Sequence, residues 1–138
     1  MAYSIADLPL KADCDQVLAY CADELRMLAQ RLSEFSYRRD NASTAADELS
    51  AELLSLNADI AFMTPLIPTL PPSKKRTERE NELRRNTDRR DELVARQGER
   101  GPVALVIREL ETAQLQVQIT ETTALQTAVQ AHRATLAA

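Results

Sequence analysis

The amino-acid sequence predicts an all-α protein built as a long antiparallel helical hairpin of coiled-coil type. Three observations predict it. An apolar stripe of 3.5-residue period runs unbroken from Cys14 to Met63, a proline-rich stretch at 64–73 interrupts the chain near its middle, and only two glycines occur in 138 residues. Ala, Leu, Glu, Arg and Gln make up the bulk, and these residues lose little free energy on entering a helix. The length is that of one helical domain, 1–138.

The first helix is expected over 12–63. Its stripe reads Cys14, Leu18, Cys21, Leu25, Leu28, Leu32, Phe35, Arg39, Ala42, Ala46, Leu49, Leu53, Leu56, Ile60, Met63, with steps of four and three alternating throughout. A helix that keeps a 3.5-residue repeat over seven heptads lies along another helix. About 50 residues at 1.5 Å each would span about 75 Å if straight. Asp13 or Asp15 supplies a cap, and Thr64-Pro65 is the expected stop, because proline disfavours helix at the residue before it. The middle is weaker. Asp40, Asn41, Ser43 and Thr44 are poor helix formers, and Thr44 with Asp47 forms a cap pair that could open a new helix. One continuous helix or two collinear ones both satisfy the pattern.

The tip, 64–73, reads TPLIPTLPPS, a density of proline that excludes regular helix. Leu66, Ile67 and Leu70 are expected to fold back over the hairpin end. A second reading makes this a docking tip for a protein client or a membrane surface, beside Lys74, Lys75 and Arg76.

A second helix is expected over 74–97, capped by Ser73, then a break at 98–101 around Gly98 and Gly101, then a last helix over 102–136 opened by Pro102. In a hairpin turning near residue 68, residue i faces about residue 137 − i. That rule sets the glycine break against 35–39, beside the weak patch. We therefore expect a joint near 38–44/98–102, with Phe35 and Tyr37 filling space at the glycines. Charge supports the pairing. Residues 40–63 carry Asp40, Asp47, Glu48, Glu52 and Asp59 with no Lys or Arg, whereas 74–97 is rich in arginine. Opposite charges flanking a seam select register more than they stabilise it.

The second arm has few apolar residues over 73–97, namely Leu83, Leu93, Val94 and Ala95. It is expected to leave Leu49, Leu53, Leu56, Ile60 and Met63 incompletely covered. Together with Leu66, Ile67 and Leu70 they form the candidate interaction surface. The last helix has the opposite surplus. Leu105, Val106, Ile107, Leu110, Leu115, Val117, Ile119, Leu125 and Val129 spread over more than one face, and a helix with two apolar faces has two neighbours. Two assemblies satisfy this: a chain folded back at the joint into a four-helix bundle, or two extended hairpins pairing as a homodimer. The unbroken heptads favour the homodimer. Residues 115–120, LQVQIT, alternate like a strand, but no second strand is available to pair with them.

Sites for catalysis are not apparent, and the expectation is a non-enzyme with no cofactor and no metal. His132 is the sole histidine and lacks a Glu three residues before it, so the helical di-metal motif is missing. Cys14 and Cys21 stand two helical turns apart, too far for a mutual disulfide, and read as small core residues. No glycine-rich phosphate loop is present. The region 74–100 carries ten basic residues, which invites a nucleic-acid reading, but seven acidic ones are interleaved with them and the net charge is −4. No apolar run reaches the length of a membrane span and no signal-peptide pattern opens the chain, which leaves a cytoplasmic location as the default. The expected role is a non-catalytic coiled-coil interaction or scaffold protein. The alternatives are a helical chaperone or secretion-type partner that shields an apolar client segment, and nucleic-acid binding through 74–100.

Overall fold

A computed structural model describes residues 2–137, and every regular element in them is helical. A 3-10 turn, Ile5–Asp7, precedes the long helix α1, Lys11–Leu66. A second 3-10 turn, Ile67–Thr69, forms the tip, and α2 (Lys74–Ala95), the one-turn α3 (Gln97–Arg100) and α4 (Pro102–Thr135) follow. The strand-like stretch 115–120 is helix, as the lack of a partner strand requires.

The chain divides into two compact units: residues up to Arg38 with those from Glu109 onward, and Arg39–Arg108. In the first unit the N-terminal part of α1 packs against the C-terminal part of α4. Asp15 pairs with Arg133 at 2.6 Å, while Phe35 lies beside Glu111 and Leu115, so the two helices run antiparallel. In the second unit the remainder of α1 packs antiparallel on α2, with Glu52 and Arg89 paired at 2.9 Å and Met63 and Leu66 near Arg79. Every position of the α1 stripe from Cys14 to Met63 is buried or half-buried. Cys14, Cys21, Leu28, Leu115 and Val129 make the core of the first unit, and Ala46, Leu49, Met63, Ile67 and Leu93 that of the second.

Several boundaries differ from the expectation. Residues 40–44 are helical, so α1 has no break there. Each poor former costs only about half a kcal/mol or so, and packing of the flanking stripe outweighs that. Of the two alternatives the pattern allowed, α1 is the continuous helix, and the division of the chain into two compact units falls at Arg38/Arg39, at the edge of the expected joint. Nor does Thr64-Pro65 stop the helix; α1 includes Pro65 and ends at Leu66. Near a C-terminus the missing N–H of proline forfeits a single bond, and the Thr64 hydroxyl donates to the Ile60 carbonyl at 2.7 Å. Ser73 caps α2 as expected, accepting from the Arg76 N–H at 3.3 Å, and the Arg76 guanidinium donates to the Leu70 carbonyl.

The break expected at 98–101 is narrower and differently built. Gly98 is helical, within α3, and the chain turns at Arg96 and at Gly101. Gly101 is the glycine that matters. It is buried and extended in front of Pro102, and a Cβ there would lie 2.5 Å from the Gln97 carbonyl oxygen. The residue before proline is driven into this extended region by the ring, and here only glycine fits it. A Cβ on Gly98 would meet nothing within 4 Å, so no side chain fills space beside it, and Tyr37 is 69% exposed.

The register is also shifted. The expected rule places residue 122 opposite Asp15 and residue 85 opposite Glu52, whereas Arg133 and Arg89 stand there. The turn sits later than expected, because α1 runs on to Leu66. The single turn of α3 then takes up further chain before α4 begins.

Candidate interaction surfaces

The residues expected to form an open surface on α1 lie mostly inside the second unit. Leu49, Met63 and Ile67 are buried, and Leu53, Leu56, Ile60, Leu66 and Leu70 are half-buried. What covers them is unusual for an apolar stripe. The inward positions of α2 are Arg76, Leu83, Asn86, Thr87, Arg90 and Leu93, and only Leu93 is fully buried. Arginine stems lie along apolar surface while their heads stay wet, which is how a polar helix shields an apolar one.

The apolar surface left open lies elsewhere, and most of it is on α4. The inward stripe of this helix is Gly101, Leu105, Arg108, Thr112, Leu115, Ile119, Thr122, Gln126 and Val129, at alternating steps of four and three. On the outward side a second stripe with the same period reads Val103, Val106, Leu110, Ala113 and Val117, flanked by Ile107. Its valines, isoleucine and leucine are 50% to 68% exposed. Side chains of this size, aligned on one face and left in water, mark a contact surface more strongly than scattered exposed residues do. On α1 the exposed large apolar side chains of the second unit are Leu54 and Phe62.

The first unit holds a feature that sequence patterning did not find. The segment ahead of α1 packs back across the α1–α4 seam. Ile5 and Leu8 are half-buried and line a shallow apolar hollow together with Val17, Leu125 and Val129. The Tyr3 hydroxyl donates to Glu121, and the Nε2–H of His132 donates to the Leu8 carbonyl at 2.9 Å. The hydrogen bond to Glu121 pushes the Tyr3 phenol above its ordinary pKa, helped by partial desolvation and the carboxylate charge. The only signals in the sequence were Ile5 and Leu8 ahead of the first cap, too short to show a period.

Five of the ten basic residues in 74–100 pair with carboxylates. Arg76 pairs with Glu80, Arg79 with Glu82, Arg90 with Asp91, Arg96 with Glu92, and Arg89 with both Glu52 and Glu92. These two carboxylates raise the Arg89 pKa, and Asp15 raises that of Arg133. Cys14 and Cys21 are buried free thiols, and burial raises the Cys21 pKa. Among the described residues no three His, Cys, Asp or Glu are placed to share a metal ion, and no helix is long and apolar enough to cross a membrane.

Compared with known proteins, the chain matches no family model, no curated protein and no solved structure.

Proposed function

We propose that this chain is a non-catalytic helical interaction protein that self-associates through the outward stripe of α4. The observation that carries the reading is the repeat Val103, Val106, Leu110, Ala113, Val117, whose large side chains stand 57% to 68% exposed at the spacing of a helix–helix contact. A second copy is the simplest occupant, since a self-complementary patch yields a closed two-fold dimer. Pairing through this stripe would give each copy of α4 its second helical neighbour.

The mass in solution tests this. The wild-type chain is expected to be dimeric at micromolar concentration by light scattering, and Leu110→Glu is expected to be monomeric with unchanged helicity. A monomeric wild type, or a dimer indifferent to Leu110→Glu, would refute self-association through this face.

A further inference from the structure

The segment ahead of α1 is held to the first unit at its two ends. At one end the Tyr3 phenol donates to Glu121, and at the other the Leu8 carbonyl accepts from His132. Between these anchors the backbone hydrogen bonds are internal to the segment, from Asp7 to Ser4 and from Leu8 to Ile5. It can therefore lift without breaking a backbone bond of α1 or α4. The two anchors differ. Leu8 lies close to Lys11, where α1 begins, whereas Tyr3 stands at the far end and its bond is at the surface, where water competes for both groups. Segments tied by few buried contacts open locally, well below the free energy of global unfolding.

Tyr3 lies across a thiol. On one side it shares a hollow with Val17, Leu125 and Val129, and on the other a hollow with Glu24, Leu28 and Glu121. Val17, Cys21, Glu24 and Leu28 follow one another along one face of α1 at steps of four, three and four. Cys21 thus sits between the two hollows that Tyr3 borders, and it is wholly buried. Its charge is near enough to act on the Tyr3 phenol. Burial pushes the Cys21 thiol above its ordinary pKa, which makes the covered sulfur a poor nucleophile. We propose that Tyr3–Leu8 is a latch whose Tyr3 end lifts while α1 and α4 stay paired, and that lifting opens Cys21 to covalent modification by soft electrophiles. The latch goes beyond self-association through α4's outward stripe and does not depend on it.

N-ethylmaleimide is the probe. The sulfur adds to its alkene carbon and the thiol proton ends on the neighbouring carbon, so no further reactant is needed. Alkylation of the full chain is followed at fixed pH, with Cys14 and Cys21 resolved by tandem mass spectrometry. Tyr3→Phe keeps the ring and removes the hydrogen bond, and is expected to speed alkylation of Cys21 roughly threefold or more. Tyr3→Ala removes the cover as well and is expected to speed it roughly tenfold or more. Cys14 lies two helical turns back, toward the end held by His132, and its rate should stay as it was, with helicity unchanged in both variants. Adding Glu121→Ala to Tyr3→Phe should give no further increase, because the bond is already gone. A wild-type rate for Cys21 in Tyr3→Ala would show that Tyr3 does not cover the thiol, and one in Tyr3→Phe that the hydrogen bond is no latch; either overturns the proposal. Equal acceleration of Cys14 and Cys21 would mean that the whole unit opens, and would overturn it too.

Discussion

The two units bury the same stripe of α1 in different ways. In the first, α4 contributes three residues to the buried interior, Thr112, Leu115 and Val129, against Cys14, Cys21 and Leu28 of α1. In the second, α1 meets a helix with four polar residues among its six inward positions, and Leu93 is the sole residue that α2 contributes to the buried core. The first seam rests on burial of apolar area, worth about 25 cal/mol per Å². The second rests on one leucine anchor and a cross-seam pair between Arg89 and Glu52. Both side chains of that pair are more than 40% exposed, so it orders the register and contributes little stability. One stripe on one helix therefore tolerates two kinds of partner, and the partner decides how firmly each unit is held.

Removing the leucine anchors tests that contrast most severely. Leu93→Ala and Leu115→Ala are each expected to cost about 2–5 kcal/mol, the range for truncating buried leucine. Leu93→Ala is the costlier, because α2 offers no second buried residue to share the load. Hydrogen exchange should show protection lost across 40–95 for Leu93→Ala while 11–38 stays protected. Uniform loss across both regions would break the distinction. A smaller effect sharpens it. Glu52→Gln should destabilise by at most about 1 kcal/mol, in denaturant melts at low salt, and the difference should fade at molar salt as the charges are screened. A salt-independent loss would mean that the second seam is held by something other than this charge pair.

Much of the α1 half of the fold was legible, because a 3.5-residue repeat is a direct record of which face is buried; Cys14, Leu28, Ala46 and Met63 all lie where the period puts them. The register was not legible. It depends on where a helix ends and how many residues a turn consumes, and Pro65 inside α1 and the single turn of α3 altered both. Of the interaction residues expected on α1 and the tip, Leu49, Met63 and Ile67 are buried while Leu53, Leu56, Ile60, Leu66 and Leu70 are half-buried, a difference that the period alone does not encode. The outward stripe of α4 was half seen. Its surplus of Val106, Ile107, Leu110 and Val117 was noted, yet the candidate list was drawn from α1. The packing of Tyr3–Leu8 onto α4 left no periodic trace, being a contact between segments more than a hundred residues apart.

The central claim is that the outward face of α4 meets its counterpart on a second copy, and disulfide trapping tests it directly. Cysteine is placed at Ala113, on the outward stripe, or at exposed Gln118, five residues on and so about 140° around the helix, with Cys14 and Cys21 buried in the background. Under mild oxidation Ala113→Cys should convert to a covalent dimer rapidly and Gln118→Cys slowly or not at all. If Ala113→Cys stays monomeric, or both positions cross-link at the same rate, α4 does not form the interface.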